Sequence, residues 1–440
     1  MNLRRHDLVL PPAPAPVRSS WQLNPVDWFA FQWVLQGTWV FDTRLDADAL
    51  RHGLERLLDS YPILCGRVVG GRRIDWSSKG IPVIEERDET LGAQDFDATR
   101  VDAGRFAARI QPFQVRSGAS PLLTLKLTQL REGSVLAICC THACLDGNSF
   151  YSMARNLSRA AAGAAVPQPR LERGRGNTQH RRRAQISRAA RQAGWHRVTV
   201  LDALSYAVTQ ARRLDRMFVT HFSPQALTRC REALACASAC SGLSTNSALV
   251  AHVAYSAARL MRLDGGDSFS VSVAVDQRER VAALPSNFAG NAVSVVATAP
   301  LPAASGREEI AARLHERLEP LLTRPSPALE SLAQLTEDIV LHRLPYSPVA
   351  GLRLLGRRRL LFYTNSFARF PVYDLDFGNG AHPVRPIRAI PHNLGDSILL
   401  WPAPPPEGGL ELYFSGWLAR ALQRLAVDDP WWAELRRYDS

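Results

Sequence analysis

Apolar residues along the chain recur with two different periods, and each period predicts a kind of element. Helical spacing runs through Leu45–Leu58, where Asp46 and Asp48 place negative charge at the end of a helix that favours it. A period of two in Leu122–Leu130 predicts a half-buried strand, and Tyr61–Val69 is predicted to be a strand entered through a proline. The first part of the chain therefore mixes helices with strands.

One predicted strand leads directly into a group of polar residues. Ser134–His142 has the same period of two, and helical spacing resumes at Phe150, with Asn148 or Ser149 as the expected N-cap. This order of strand, turn and helix places His142 at a strand end, where a side chain can face a cleft.

The second half of the chain repeats this mixture. The predicted strands are 217–222, 268–275, 292–297, 361–367, 397–401 and 409–414, and the predicted helices are 223–235 and 244–260. The sequence contains no repeat of solenoid period. Strands and helices in both halves predict an α/β protein built from packed layers.

The net charge of +12 is concentrated in one stretch. Residues 168–192 contain eight arginines and one acid, Glu172, and so account for seven of the twelve charges. Such a run is usually a solvated linker, and no aromatic residues alternate with the arginines as in a nucleic-acid tail. Because 440 residues favour two domains, we predict an N-terminal domain at 1–167, a basic linker at 168–194 and a C-terminal domain at 195–440. Exchange of segments between the two domains stays open.

Composition argues against several other classes of protein. With 46% hydrophobic and 21% charged residues, the chain is typical of a folded protein. No apolar run approaches the roughly 18–20 residues of a membrane helix, and residues 1–17 lack the apolar segment of a secretory signal, so we predict a cytoplasmic protein. The seven cysteines lack the paired spacing of a disulfide framework or a zinc site, and we predict no bound metal.

The segment His142–Gly147 carries the residues best suited to chemistry. The imidazole of His142 can accept a proton near neutral pH, Asp146 can hold local geometry, and Gly147 permits a tight turn. Taken alone, a histidine at a strand end is more often a satisfied core residue. Cys144 is a conceivable nucleophile, but such a cysteine is more commonly a small buried hydrophobe.

Two signatures together resemble those of the BAHD acyltransferases, which are relatives of chloramphenicol acetyltransferase and of peptide-synthetase condensation domains. His142-x-x-x-Asp146-Gly147 is similar to the first signature, and Asp376–Gly380 stands where these enzymes carry Asp-Phe-Gly-Trp-Gly. Further matches lie at residues 61–67, 244–252, 276–278, 287–292 and 367–371.

Three positions depart from the family pattern. Asn379 and Phe367 stand where tryptophans are usual, and Thr141 precedes His142 where condensation domains usually carry a second histidine. The last difference argues against the condensation branch, whereas the loss of two tryptophans gives some weight to an inactive relative.

The resemblance implies a fold and a reaction. The fold is α/β, with two chloramphenicol-acetyltransferase-like domains, each a mixed β-sheet packed with helices, and the active site in a channel between them. The implied reaction transfers an acyl group from acyl-CoA to a hydroxyl or amine of a small molecule, typically a specialised metabolite. Acyl-CoA is a cosubstrate, no cofactor is permanently bound, and a monomer without nucleic-acid or membrane partners is expected.

The same resemblance implies roles for residues of the first signature. His142 is the general base that takes the acceptor's proton. Asp146 turns away from the site and pairs with an arginine, for which Arg278 of the segment Asp276-Gln277-Arg278 is the candidate. Gly147 has a conformational role.

Other matched residues surround the reaction or lie away from it. Asn365 either helps to hold the oxyanion, with Phe367 beside it, or is a strand-end amide bonded to the backbone, and both roles stay open. Ser244 and Thr245 begin a helix and either meet a phosphate of CoA or simply cap that helix, the second role being the commoner one. The residues expected to be purely structural are Asp376, Phe377, Gly378 and Gly380.

Two alternatives stay open. In the first, the donor is an acyl group on an acyl carrier protein, as in freestanding condensation enzymes, and the arginines of the run Arg181–Arg183 dock an acidic partner. In the second, the chain is a non-catalytic relative that binds a small molecule. The sequence determines neither the acceptor nor the acyl chain.

Overall fold

The structure is a computed structural model. It describes residues 4–10, 19–96, 103–173, 181–200, 218–260, 266–348, 359–378, 386–391 and 398–414. No helix within these ranges is long and apolar enough to cross a membrane.

Strands and helices alternate along the chain. In chain order the strands are β1 (Arg4–Val9), β2 (Ser20–Gln22), β3 (Val34–Phe41), β4 (Arg67–Val69), β5 (Arg73–Asp75), β6 (Ile81–Asp88), β7 (Leu123–Leu130), β8 (Ser134–Thr141), β9 (His196–Arg197), β10 (Phe218–Phe222), β11 (Ser268–Asp276), β12 (Val293–Ala297), β13 (Leu301–Pro302), β14 (Tyr346–Ser347), β15 (Arg359–Ser366), β16 (Pro386–Pro391), β17 (Ile398–Pro402) and β18 (Leu410–Phe414). The helices are α1 (Pro25–Ala30), α2 (Ala47–Ser60), α3 (Pro112–Arg116), α4 (Gly147–Ala161), α5 (Arg183–Gln192), α6 (Pro224–Ala237), α7 (Thr245–Leu260), α8 (Arg307–Leu318) and α9 (Pro327–Leu341).

The first of two compact units carries the His142 segment. It consists of Met1–Arg175, Ala283–Ala292 and Arg369–His392. Its main sheet has the strand order β1-β6-β7-β8-β3-β16, in which β6 and β7 are parallel and the other neighbours are antiparallel. Every residue of β8 is buried, and β8 lies inside this sheet between β7 and β3. The paired helices α2 and α4 also belong to this unit.

The second compact unit has its own mixed sheet. It consists of Gly176–Ala282, Val293–Ala368 and Asn393–Ser440. Its strand order is β10-β18-β17-β15-β11-β12, with β15 parallel to both β11 and β17. Within this unit α7 packs against α6 and α8, and α9 packs against α5. Mixed sheets combined with helices confirm the predicted α/β fold class.

The two units are not contiguous along the chain, a possibility that the predicted domain boundaries left open. Two segments of the predicted C-terminal domain, 283–292 and 369–392, lie in the first unit. The second of them contains β16, which pairs with β3 and forms an edge of the first sheet. Backbone pairing, which the local pattern does not encode, therefore decides to which unit these residues belong.

The predicted linker also contains ordered structure. Part of it is helix α5, whose Ile186 and Ala190 are buried in the second unit at a spacing of four. This part of the arginine-rich stretch forms a helix because its apolar residues recur at helical spacing, while the arginines occupy the other faces of the helix. Residues 174–180 of the predicted linker lie outside the described residues.

Two local predictions were wrong. Residues 62–65 form a 3-10 helix before the short strand β4, because Pro62 occupies its first turn, where a missing N–H has no cost. The strand β7, predicted to be half-buried, is buried along its whole length. The segment that contains Arg105 and Ala108 covers its polar face, since the carbonyls of these residues accept hydrogen bonds from Lys126 and Thr124. Lys126 also pairs with Glu86 at 2.7 Å.

Candidate functional site

His142 follows directly after an interior strand of the first unit. β8 ends at Thr141, and the next amide, that of His142, donates to the carbonyl of Trp33 at 3.0 Å, which extends the ladder with β3 by one bond. The chain then turns, with the Cys144 amide donating to the Thr141 carbonyl at 3.1 Å. The predicted order of strand, turn and helix is thus present, and it leaves the His142 side chain half-buried at the strand end.

Asp146 closes the turn and begins α4. Its side chain is fully buried, and its Oδ1 accepts the amide of Ser149 at 2.8 Å, so Asp146 is the N-cap of this helix rather than Asn148 or Ser149. Its other oxygen, Oδ2, accepts the amide of Ala292 at 2.9 Å. One carboxylate therefore joins the helix start to a segment 146 residues farther along the chain.

That segment, residues 290–292, lies against the turn through further bonds. The Asp146 amide donates to the Gly290 carbonyl at 3.3 Å, and the Ser149 hydroxyl lies within hydrogen-bond distance of both the carbonyl and the amide of Gly290. Arg173 donates to the Asn291 carbonyl at 3.0 Å. The segment that resembles a family motif at 287–292 is thereby part of the His142 site.

Asn291 contacts the His142 ring itself. Its Oδ1 lies 3.0 Å from the His142 Nδ1, and its Nδ2 lies 2.8 Å from the His142 carbonyl and 2.8 Å from Oδ1 of Asp27. Both Asp27 and Asn291 are buried. The Trp33 ring lies 6.1 Å from the imidazole, tilted by 59°. No described residue hydrogen-bonds the other ring nitrogen, Nε2.

Sequence reasoning missed the site roles of Asn291 and Asp27. Asn291 lay within a matched motif but received no role. Asp27 occupies the third position of α1, and Asn24, Pro25 and Asp27 form a recognisable helix start with a capping box. That signal predicts a helix, but it does not predict a contact 264 residues away.

The environment of His142 favours its neutral form. Burial lowers the pKa of His142 below its ordinary value, while its own backbone, the negative charge of Asp146 and the hydrogen bond to Asn291 oppose that shift and offset only part of it. At neutral pH the imidazole is therefore uncharged and able to accept a proton.

The other residues of the first signature have structural contacts. Gly147 is the first residue of α4, and its φ is not in the positive range that favours glycine, so the tight-turn role predicted for it is not what the backbone uses. Arg278 belongs to the second unit, where its buried side chain donates to Asp276 at 2.9 Å. Its pairing with Asp146 stays a prediction.

Asn365 and Phe367 lie at the end of β15 in the second unit. Asn365 stands opposite Leu399 of β17, and Phe367 continues that pairing by donating its amide to the Leu400 carbonyl at 2.7 Å. The Phe367 ring is buried 5.2 Å from the ring of Trp401. The second unit therefore has a buried indole next to Phe367, which sequence comparison alone did not reveal.

Ser244 acts as a helix cap. Its hydroxyl accepts the Ser247 amide at 3.0 Å, and α7 begins at Thr245. This is the commoner of the two roles expected for Ser244 and Thr245. Their contact with a phosphate of CoA stays a prediction.

The second signature packs at the opposite end of the first sheet from His142. Phe377 meets Phe41 edge-on at 5.7 Å, and Phe41 pairs with Ser134, the first residue of β8. Because a strand rises about 3.4 Å per residue, the seven steps of β8 separate this contact from Thr141 by about 24 Å. A purely structural role for this motif agrees with that distance.

A backbone turn stabilises the same motif. The Asp376 amide donates to the Ser158 hydroxyl of α4 at 3.2 Å, and Gly378 donates to the Asp376 carboxylate at 3.1 Å. Gly378 has φ +52, and an added Cβ would lie 2.9 Å from that of Ala162, so only glycine fits this position. Asn379 and Gly380 lie outside the described residues.

The cysteines near the motif are buried thiols. Cys139, Cys140 and Cys144 form no disulfide, and burial raises the pKa of Cys139 to about 12. Within the described ranges, no group of three His, Cys, Asp or Glu side chains is arranged to hold a metal ion.

Several solved structures of other proteins have a fold similar to that of this chain. F. graminearum TRI101, solved with coenzyme A and T-2 mycotoxin, is 18% identical over 94% of this chain and 99% of its own, with a TM-score of 0.71. Vinorine synthase is 16% identical over 96% of both chains, with a TM-score of 0.67. The first condensation domain of the calcium-dependent antibiotic synthetase is 17% identical over 94% of this chain and 96% of its own, with a TM-score of 0.52.

The family assignment comes from the sequence as a whole. No curated protein matches the chain. The profile of the Transferase family, in contrast, matches residues 1–416 and so covers nearly all of its 440 residues. The chain therefore belongs to this family, that of the BAHD acyltransferases.

Proposed function

We propose that this protein transfers an acyl group from an acyl-CoA to a hydroxyl or amine of a small-molecule acceptor, with His142 as the general base. The observation that carries the proposal is the half-buried imidazole, hydrogen-bonded through Nδ1 and kept neutral by burial. Membership of the BAHD family supports the reaction class, and coenzyme A in the TRI101 structure supports the donor.

The proposed reaction demands few protein groups. The acceptor loses a proton as it attacks the thioester carbonyl, and Nε2 of His142 accepts that proton. The C–S bond then breaks, and the CoA thiolate, a good leaving group, departs and takes up the proton. General-base catalysis of this kind contributes about 10²–10⁴-fold. Asn365 is the proposed donor to the oxyanion of the tetrahedral intermediate.

Asp146 has a supporting role in this proposal. Both of its oxygens accept backbone amides, so the carboxylate does not act on substrate. It holds the turn that carries His142, and the proposed ion pair with Arg278 would add to that structural function.

The pH dependence of kcat/KM tests the proposed role of His142. The neutral imidazole is the active form, and burial lowers its pKa. We therefore expect kcat/KM to be constant above neutral pH and to fall only as the pH drops below the ordinary histidine value of about 6.5. Rates measured from acidic to basic pH, with recovery of activity after each incubation as the control, locate this transition. A midpoint above the ordinary value would contradict the proposal.

A comparison of donors separates acyl-CoA from an acyl carrier protein. The alternative donor has one structural observation in its favour, because Arg182, the N-cap residue of α5, and Arg188 within α5 are exposed. We expect turnover with acyl-CoA, and we expect that Arg182→Glu/Arg188→Glu leaves it unchanged, as does the control Arg313→Glu on α8. If only an acyl carrier protein served as donor, and the α5 variant alone lost that transfer, the carrier-protein alternative would replace the proposal.

Identification of the products tests the acceptor class. We propose incubating the protein with a panel of acyl-CoAs and candidate alcohols and amines, followed by mass spectrometry of the products. Ester and amide products would distinguish O-acylation from N-acylation. Absence of any acylated product, together with measurable binding of an acceptor, would favour the non-catalytic relative.

A further inference from the structure

We propose that Asp27 is a positioning residue that acts through Asn291 to keep the proton of neutral His142 on Nδ1 and the lone pair on Nε2. The inference rests on the proposed role of His142 as base. It extends that role by assigning the tautomer and the residues that determine it.

The orientation of the Asn291 amide follows from two of its neighbours. The Asp27 carboxylate and the His142 carbonyl can only accept hydrogen bonds, and each lies 2.8 Å from the same atom of Asn291. That atom must therefore be the NH₂ group, with one hydrogen for each acceptor. The amide oxygen is left to face Nδ1 of His142 at 3.0 Å.

The tautomer of His142 follows from this orientation. An amide oxygen only accepts, so Nδ1 must donate the hydrogen between them. A neutral imidazole has a single N–H, and Nε2 is consequently the nitrogen able to take a proton. In the other tautomer two lone pairs would face each other 3.0 Å apart.

Asp27 is the acidic residue of this arrangement, and both of its oxygens accept hydrogen bonds, which favours the ionised carboxylate. Its side chain is 7% exposed, and an ionised acceptor in such surroundings holds an amide donor more strongly than a neutral one. The two oxygens of Asp27 have separate functions, because Oδ2 accepts the Asn24 amide in the capping box of α1 while Oδ1 accepts Asn291. Among the described residues, Asp146 also acts on His142 through its charge, and Arg173 donates to the Asn291 carbonyl.

The test uses Asp27→Asn, which preserves the shape of the side chain. The new amide can donate hydrogen bonds through its NH₂ group, whereas the carboxylate could only accept them. The Asn291 amide is then free to turn, and part of the His142 population should move its proton to Nε2. We expect kcat/KM to fall about tenfold to a hundredfold, the range seen when the partner that orients a metal-bound imidazole is lost. Nitrogen NMR of ¹⁵N-histidine protein without substrate measures the tautomer directly. The His142 signal is identified among the 11 histidines by its absence in His142→Ala.

Asn24→Ala is the matched control. It removes the side chain that accepts the amides of Val26 and Asp27, yet it leaves the Asn24 amide and both Asp27 oxygens in place. We expect this variant to lose stability while keeping the wild-type tautomer and kcat/KM. Equal losses of kcat/KM in the two variants, with an unchanged tautomer, would show a purely structural role and overturn the proposal.

The wild-type spectrum provides a test that does not depend on folding of a variant. If wild-type His142 carries its proton on Nε2, the inference is wrong whatever Asp27→Asn does. This outcome is distinguishable from failure of the proposed function. Full turnover by His142→Ala would refute the general base, whereas the tautomer comparison between wild type and Asp27→Asn would still decide the role of Asp27.

Discussion

Replacement of His142 by alanine is expected to lower kcat by about 10²–10⁴-fold, the usual contribution of a general base. The acceptor would then lose its proton only to water, while substrate binding and oxyanion stabilisation continue. The fold should persist, because the side chain is half-buried and its backbone amide keeps its bond to Trp33. Steady-state rates with saturating acyl-CoA, together with circular dichroism, measure both effects.

Cys144→Ala is the matched control for this experiment. Cys144 is a buried thiol in the same turn, two residues from His142, and it is the other nucleophilic candidate of the motif. We expect this variant to retain turnover. Full activity of His142→Ala would refute the general-base role, and inactivity of Cys144→Ala would instead indicate an acyl-cysteine intermediate.

Replacement of Asp146 by alanine is expected to lower the free energy of unfolding by about 3 kcal/mol. The fully buried carboxylate accepts the amides of Ser149 and Ala292, and each buried donor left without a partner costs about 1–3 kcal/mol. Activity should fall as a consequence, because the turn that carries His142 loses its anchor. Denaturant unfolding, with hydrogen exchange at the two orphaned amides, measures the loss.

Asp46→Ala provides the comparison for this stability loss. Asp46 also caps a helix, since its Oδ1 accepts the amides of Asp48 and Ala49, but it is exposed and water can replace it. We expect a cost of about 1 kcal/mol for this variant, typical of a lost N-cap. If Asp146→Ala cost no more than Asp46→Ala, the bond to Ala292 would contribute nothing.

Sequence patterns predicted the surroundings of His142 but not its partners. The alternation through Ser134–His142 and the helical spacing after it predicted the strand, the turn and the helix, and all three are present. The pairing strand β3 was not predicted, although Trp33, the residue just before it, accepts the His142 amide. A strand that is buried on both faces lacks the alternation of apolar and polar residues by which strands are recognised. Nearly all of the eight residues of β3 are buried.

The sequence patterns likewise did not predict which residues contact the imidazole. Asp27 has a local signal, the capping box of α1, which predicts only its bond to Asn24. Its second bond, to Asn291, spans 264 residues and depends on how the segment 283–292 joins the first unit. No period or spacing in the sequence contains that information.

The amino-acid sequence alone was enough to predict the α/β class, the family signatures and the position of His142 at a strand end. These features depend on near neighbours, because periodicity, turn residues and motifs are local properties of the chain. The folded chain sets which segments form each unit, that the Asp146 carboxylate also binds the Ala292 amide, and that Asn291 and Asp27 hold the imidazole. Those outcomes depend on hydrogen bonds between residues more than a hundred positions apart, which form only when the chain closes around a common core.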